Sequence, residues 1–398
     1  MADTRTIRSL GVEQEGKAYF FRYEEGPPPP NHFRLATLYT GISSGTELTF
    51  FRGTNPYLHA SWDSEFGLFH HGEPSVRYPV PFVGYMEVGY VTESRASNVR
   101  EGDVLAMTYG HKSGHTADAL HEFYMPLPAD LDPILGIYIA QMGPICANAL
   151  LHAAVETVGR DVRSLGEGVR GRTILVMGAG VVGLLTALFA QHCGAAEVAI
   201  ANSRGPRLET ARALGLQCID VAEIEPWRYC KERWRHGPGD RGADLVFQCK
   251  ADAASLHEGL RSLRPQGTVI DLAFYQGGAA ELRLGEEFHH NGLTIRCAQI
   301  GRVPAGLGQF WTRRRLADET IDLLRAYAPL LQEEVITDVV AFDDAPAFLT
   351  WLAAGYQPQV IQAVLEIPEH LELVTRTQRK AAHSPNGASA PVQERERV

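Results

Sequence analysis

The chain has 398 residues, of which 45% are hydrophobic and 21% charged, and a formal net charge of −10. That length suits two domains with sizeable cores, and the negative balance offers no broad attraction to nucleic acid or anionic membrane surfaces. No apolar run approaches a membrane span, and Met1-Ala2-Asp3-Thr4-Arg5 leads into no signal-peptide core.

Residues 1 to about 15 are polar and read as loosely held. Lys17–Tyr23 and Phe33–Tyr39 have the composition of strands, with the stiff Pro27-Pro28-Pro29-Pro30 between them. Gly41-Ile42-Ser43-Ser44-Gly45-Thr46-Glu47 is a turn-rich loop. An irregular segment over residues 51–78 follows, carrying Tyr57, His59, Trp62, Glu65, His70 and His71. A loop that long is either functional or disordered, and its aromatic content argues for function. Pro79–Val91 and Val104–Tyr109 read as strands, with Gly84 and Gly89 marking bends. His111-Lys112-Ser113-Gly114-His115 is a second polar loop, and Phe123–Leu127 closes a β-rich, barrel-like region. Pro133–Val158 turns helical and rich in small residues.

The most informative stretch comes next. Thr173–Met177 is a short, β-branched apolar run that breaks at Gly178-Ala179-Gly180-Val181-Val182-Gly183 and resumes as an Ala-rich helical pattern from Leu184 to Cys193. In this G-x-G-x-x-G the first glycine permits a tight turn. The second admits a pyrophosphate to the backbone, and the third lets helix and strand pack closely. The helix N-terminus, with Val181 and Val182 in its first turn, offers free N–H groups to the phosphates. A second apolar run, Val198–Ala201, ends at Asn202-Ser203-Arg204. An NAD site places Asp or Glu there to hold the ribose 2′-hydroxyl. A neutral amide, a hydroxyl and a guanidinium, with Arg207 one turn on, suit a 2′-phosphate instead. The expected cofactor is NADP(H).

Strands and helices then alternate as in βαβ units. Strands are expected at Gln217–Asp220, Ala243–Gln248, Gly267–Ala273, Leu293–Gln299 and Val360–Ile367. Helices are expected at Ala222–Arg235, Ala253–Leu263, Leu316–Tyr327 and Ala345–Ala354. Phe274 follows the fifth strand, at the carboxyl edge where dinucleotides bind. Residues from about 370 onward lose periodicity and read as a disordered tail.

A β-rich N-terminal region, an inserted dinucleotide-binding sheet and a C-terminal return together resemble the medium-chain dehydrogenase/reductase family, over residues 15 to 368 or so. The resemblance implies an α/β fold: a Rossmann doubly wound parallel sheet plus a GroES-like β-barrel domain. It divides the chain into 1–138 and 301–370 for the barrel, 139–300 for the Rossmann domain and 371–398 for the tail. Zinc-dependent members carry G-I-C-G, G-H-E-x-x-G and a four-cysteine lobe. Here Gly41-Ile42-Ser43-Ser44 and Gly84-Tyr85-Met86-Glu87-Val88-Gly89 align with the first two, so Ser43, Tyr85 and Met86 stand where Cys, His and Glu would be. Hydroxyls and a thioether make no tight zinc site. The six cysteines are scattered with no C-x-x-C, which removes the lobe and fits a reducing cytoplasm. The chain therefore resembles a zinc-free member. Ser43-Ser44-Gly45-Thr46-Glu47, Gly84-Tyr85 and Leu284-Gly285-Glu286-Glu287-Phe288-His289 resemble in particular a bacterial subgroup that includes the bacteriochlorophyllide a dehydrogenases.

Without a metal, the charge that develops on oxygen during hydride transfer needs hydrogen-bond donors and a proton source. Tyr85, at a former ligand position, is the leading candidate; His111, Lys112 and His115 share one loop of the same region. Ser43 and Glu47 are expected to orient substrate, with Tyr57 and Trp62 from the long loop. Cys146 and Asn148, on the helix entering the Rossmann domain, border the expected nicotinamide pocket. The expected activity is reduction of a small polar ketone or enone, sugar- or cyclitol-like, by NADPH. The reverse alcohol oxidation and a non-catalytic NADP(H) sensor are the alternatives. The expected partner is a small molecule, with neither nucleic acid nor membrane, and a homodimer is allowed.

Overall fold

The computed structural model describes residues 4–203, 205–355 and 357–374. β1 (Arg5–Gln14) and β2 (Lys17–Glu25) form an antiparallel hairpin turned at Gly16. This corrects the expectation of a loose start. Ile7, Leu10 and Val12 are buried, and Val12 also exchanges backbone hydrogen bonds with Val80 at 2.8 and 2.7 Å. These apolar residues are interspersed with polar ones, so no continuous run announced the strand.

β3 (His32–Ile42) is the spine of the first region, and α1 (Ser44–Phe51) springs directly from its end. The segment expected to be irregular holds a short hairpin, β4 (Ala60–Asp63) with β5 (Leu68–His71). β6 (Glu87–Ser94) and β7 (Val104–Met107) follow, then β8 (Gly114–Asp118) and β9 (Met125–Pro126). β8 occupies part of what the sequence offered as a polar loop. It pairs with β3 from His32–Asp118 to Ala36–Gly114, and among its five residues only Gly114 and Ala117 are buried. A strand with so little apolar content is recruited by its partner's edge and not by its own pattern.

α2 (Met142–Val158) leads to β10 (Thr173–Met177), α3 (Val181–His192), β11 (Glu197–Asn202), α4 (Gly205–Ala213), β12 (Gln217–Asp220) and α5 (Pro226–Arg233). A small ribbon of β13 (Arg235–Gly237) and β14 (Asp240–Arg241) precedes β15 (Ala243–Gln248), α6 (Ala253–Ser262) and β16 (Leu263–Asp271). α7 (Glu287–His290) and β17 (Thr294–Cys297) complete the unit. Its six strands are all parallel, in the order β12-β11-β10-β15-β16-β17. That is the doubly wound order with β10 at the switch point. Gly178 has φ of 100°, and a Cβ on Gly183 would lie 1.8 Å from the Gly178 carbonyl oxygen. Only glycine permits that turn.

α8 (Arg313–Leu330) lies along α2, and β18 (Ile336–Ala341), α9 (Ala345–Ala354) and β19 (Gln362–Glu366) return to the first region. β19 pairs antiparallel with β3 from Ala363–Ile42 to Glu366–Tyr39. The resulting seven-stranded sheet runs β18-β19-β3-β6-β7-β9, with β8 also on β3. The architecture is thus α/β, a Rossmann sheet joined to a GroES-like β region. Residues 371–374 continue a helix; the rest of the expected tail, 375–398, lies outside the described residues.

Candidate functional site

A cleft of about 230 Å³ opens where the two regions meet. One wall is the β3–α1 junction, Ser43 to Thr46, with Tyr85; the other is the glycine-rich turn, Gly180 to Val182, with Phe274 beyond β16. On the far side of that turn a second cavity, about 190 Å³, lies beyond the ends of β10 and β11 and is lined by Asn202, Ser203 and Lys250. The two hollows flank Gly178–Gly183 as the nicotinamide and adenosine halves of a dinucleotide would require. A wider hollow of about 1140 Å³ is lined by Arg172, Thr268 and Thr294, at the opposite, amino-terminal edge of the sheet. It is remote from the glycine turn.

Tyr85 donates its phenol to the Ser43 hydroxyl across the first cleft. Burial, and then the charge of Glu47, push the Tyr85 pKa up to about 12. The proton therefore stays on the phenol at neutral pH. Glu47 itself lies behind the wall: its Oε1 accepts from the Ser43 backbone N–H at 2.9 Å, closing the α1 N-terminus. Its Oε2 meets His111 Nε2 at 2.7 Å. His111 Nδ1 in turn meets Thr40 Oγ1 at 2.6 Å, and Thr40 donates to Glu87 Oε1 at 3.1 Å. Glu87 Oε2 accepts the Tyr109 backbone N–H at 2.8 Å. His111 is fully buried against the Gly84 backbone, where a Cβ would come within 2.7 Å of the ring.

The sequence-derived candidates thus separate into groups. Ser43, Tyr85, Gly180, Val181, Val182 and Phe274 line the cleft, and Asn202 and Ser203 line the second cavity. Gly178 and Gly183 shape the turn between them. His111 and Glu47 sit one layer behind Tyr85 and Ser43, so neither faces the cleft. His115 is not brought to it either: it bonds Glu122 at 2.7 Å and stacks on Tyr109. Lys112 lies over Phe82, its ammonium 5.3 Å from the ring centroid, and burial lowers its pKa. Trp62 on the β4–β5 hairpin and Tyr57, in the helical turn just before it, both pack on Phe69 and are exposed. Cys146 is a buried core residue, and Asn148 donates to the Gln299 carbonyl at 3.2 Å, away from the cleft. Arg204 lies outside the described residues. Arg207 reaches the cleft wall beside Gly180 while donating to the Pro358 and Val360 carbonyls. Lys250 was not singled out from the sequence; it stands 48 positions beyond Asn202, and only the sheet order brings them together.

The zinc question turns on the donor set. Ser43 and Tyr85 bring hydroxyls, Met86 is a fully buried thioether, and Glu47 and Glu87 already serve His111, Thr40 and backbone N–H groups. Among the described residues, the one cluster of His, Cys, Asp or Glu close enough to hold a metal is elsewhere, at His257, Glu286 and Glu287. The cleft's one thiol is that of Cys249, whose pKa burial pushes well up, so hydroxyls, a thioether and a protonated thiol are the donors nearest the turn, a poor set for zinc.

The buried network has a pH signature. Burial raises Glu87 from its ordinary 4.5 to about 7. Burial pulls His111 down, but the charge and hydrogen bond of Glu47, with the charge of Glu87, outweigh it and raise the pKa. A folded state that holds these protons more tightly than the unfolded chain loses stability as pH rises. For Glu87 that loss falls between pH 4.5 and about 7, and for His111 it begins above its ordinary 6.5. Glu87→Gln is expected to flatten the lower part of this decline, read by urea unfolding at stepped pH. An unchanged slope would remove Glu87 from the account.

Comparison with known proteins places these features. Residues 181–310 match the family model described as zinc-binding dehydrogenase. D-xylulose reductase A of Aspergillus oryzae is 27% identical over 190 residues, 46% of this chain and 48% of the relative. D-xylulose reductase of Saccharomyces cerevisiae is 28% identical over 107 residues, 27% of this chain and 30% of the relative. The chain therefore spans about half the length, or less, of these curated relatives. Among solved structures, an alcohol dehydrogenase of Thermotoga maritima superposes with a TM-score of 0.67 at 16% identity, over 91% of this chain and 100% of the other. A Sinorhizobium meliloti structure, named for the zinc-binding dehydrogenases and bound to NADP, gives 0.65 at 18% identity over 91% and 99%. Residues 181–310 are similar in sequence to the zinc-binding dehydrogenases, and over about nine-tenths of its length the chain takes the fold of these dehydrogenase structures.

Proposed function

We propose that the protein is an NADPH-dependent oxidoreductase that reduces a small polar ketone or enone without a catalytic zinc. The observation that carries this is the Tyr85–Ser43 hydroxyl pair facing the glycine-rich turn across the cleft. A nicotinamide bound in that cleft supplies the hydride. Tyr85 then donates a hydrogen bond, and finally its proton, to the oxygen on which charge develops. A phenol with pKa near 12 keeps its proton until an alkoxide, a stronger base, forms beside it. That property favours reduction over alcohol oxidation. Ser43, held by the Glu47 cap, fixes the phenol's direction.

NADPH is preferred because Asn202 and Ser203 stand where an NAD site carries the carboxylate that would repel a 2′-phosphate; Lys250 lines the same cavity, already paired with Asp252, and Glu258 lies on its α6 wall. The NADP-bound relative in fold agrees with this choice. Hydroxyls at Ser43, Ser44 and Thr46 favour a polar substrate, and the curated relatives are named for D-xylulose, a small ketose. The polar loop residues first expected to line the pocket no longer support this, since they face elsewhere.

The test uses NADPH deuterated at C4, with ketoses, cyclitol ketones and enones offered in turn, and locates the label by NMR. Label on a carbinol carbon means carbonyl reduction, and label β to a retained ketone means enone reduction. Turnover is expected to persist in the presence of a strong chelator. Transfer of label to neither position, or loss of kcat on chelation that zinc restores, would overturn the proposal.

A further inference from the structure

We infer that His257, Glu286 and Glu287 form a binding site for a first-row divalent cation such as zinc, which ties α6 to α7. One ring nitrogen of His257 and one carboxylate oxygen from each glutamate all lie within 4.8 Å of one another. His257 is 5% exposed, and both of its ring nitrogens are buried without a hydrogen-bond partner. Glu287 Oε2 is buried and unpartnered as well. An imidazole buried within helix α6 with neither nitrogen satisfied loses hydrogen bonds that water would provide, so the position is costly unless something occupies the space before it.

The surrounding charges leave the pocket open to a cation. Arg261 approaches Glu287 through Oε1, at 3.7 Å, and is held more closely by Glu258 at 2.5 Å. Arg283 approaches Glu286 through its Oε1 at 3.4 Å. Glu287 thus keeps its second oxygen for another partner. A neutral imidazole and two carboxylates carry a charge of −2, which a divalent ion balances. Nitrogen with carboxylate oxygen selects zinc, manganese, cobalt or ferrous iron over calcium and magnesium, which favour all-oxygen shells. A tetrahedral ion with bonds of about 2.0–2.2 Å holds its ligand atoms roughly 3.5 Å apart. The ligand atoms, within 4.8 Å of one another, must draw together by side-chain movement to reach that spacing, and Glu286 is exposed and Glu287 only partly buried.

The site lies outside the catalytic cleft but connects to both nucleotide cavities. α6 also carries Ala254, Ser255 and Glu258, which line the adenosine-side cavity. Glu286 and Glu287 end the connection that begins with Ala273 and Phe274 at the cleft. An ion here would fasten that connection at its far end. Its role is structural, and catalysis does not pass through it.

The test takes the full chain, stripped with a chelator and dialysed, and titrates it with zinc chloride and then with cobalt chloride. The expected result is one ion per chain by elemental analysis and a rise in Tm, with cobalt giving visible d–d absorption. His257→Ala and Glu287→Gln are each expected to abolish both the stoichiometric ion and the metal-dependent rise in Tm. Glu287 is partly exposed, so its variant keeps the experiment readable if His257→Ala fails to fold. Ser43→Ala is expected to retain the ion; loss there, with retention in Glu287→Gln, would move the metal to the cleft and overturn both this site and the zinc-free reading. No saturable binding at micromolar metal, or binding unchanged in Glu287→Gln, would overturn this site alone.

Discussion

Replacing Tyr85 with phenylalanine is expected to lower kcat by about 10²–10⁴-fold, the usual contribution of a positioned proton donor. The NADPH dissociation constant should be unchanged, because the phenol acts on the substrate and not on the dinucleotide. Phenylalanine keeps the partly buried ring and its packing, so loss of fold does not confound the result. The removed hydroxyl would otherwise donate to Ser43 and face the cleft. Ser43→Ala should have a smaller effect, since it takes away the acceptor that aims the phenol and leaves the proton in place. The pair of variants separates a donor from a packing residue. If kcat in Tyr85→Phe falls no further than in Ser43→Ala, Tyr85 is not the proton source.

The second large effect concerns the cofactor. Asn202→Asp is expected to weaken NADPH by about 10- to 150-fold, the range of 1.5–3 kcal/mol for a hydrogen bond to a charged group, while NADH tightens or holds. Asn202 accepts the Ala179 backbone N–H at 3.4 Å and is nearly buried, so the isosteric acid keeps this acceptor while replacing the amide donor with a negative charge. Lys250→Ala is expected to weaken NADPH in the same direction but by less, because Lys250 lines the same cavity with its ammonium already paired to Asp252 at 2.7 Å. Tryptophan-fluorescence titration with both cofactors reads these differences. Equal affinity of the unmutated protein for NADPH and NADH would remove the basis for either variant.

The nucleotide-binding unit was legible because its signals are local. Thr173–Met177, the glycine turn and α3 follow one another within 20 residues, and the central strands β10, β11 and β15 are largely apolar and mostly buried. Ala243–Gln248 and Ala345–Ala354 came out residue for residue for the same reason. The first region was less legible because its strands depend on distant partners. β1 and β8 are mostly polar in composition; β1 is held by its hairpin with β2 and a single bridge to Val80, and β8 by the distant β3. The site divides along the same line. Tyr85 and Ser43 could be placed through motif position, whereas His111 gave only its chemistry. Direction decides what a histidine does, and hydrogen bonds to Glu47 and Thr40 hold this ring behind the cleft wall. Lys250 gave no signal, since nothing local distinguishes it from a solvated charge.

The antiparallel pairing of β19 with β3 has a bearing on how the chain comes off the ribosome. Gln362 bonds the Ile42 carbonyl across 320 positions of sequence. At translation rates of about 5–20 residues per second, β3 waits roughly 16 to 64 s for its last partner. β6 and β8 are made early and can pair at once, so the unpaired stretch narrows to Tyr39–Ile42. That stretch runs straight into Ser43. The nascent protein can therefore complete its Rossmann sheet, and hold a nucleotide, well before the neighbouring wall is anchored. Until then it carries a short, sticky β edge beside an unfinished catalytic cleft, the kind of surface a holding chaperone covers.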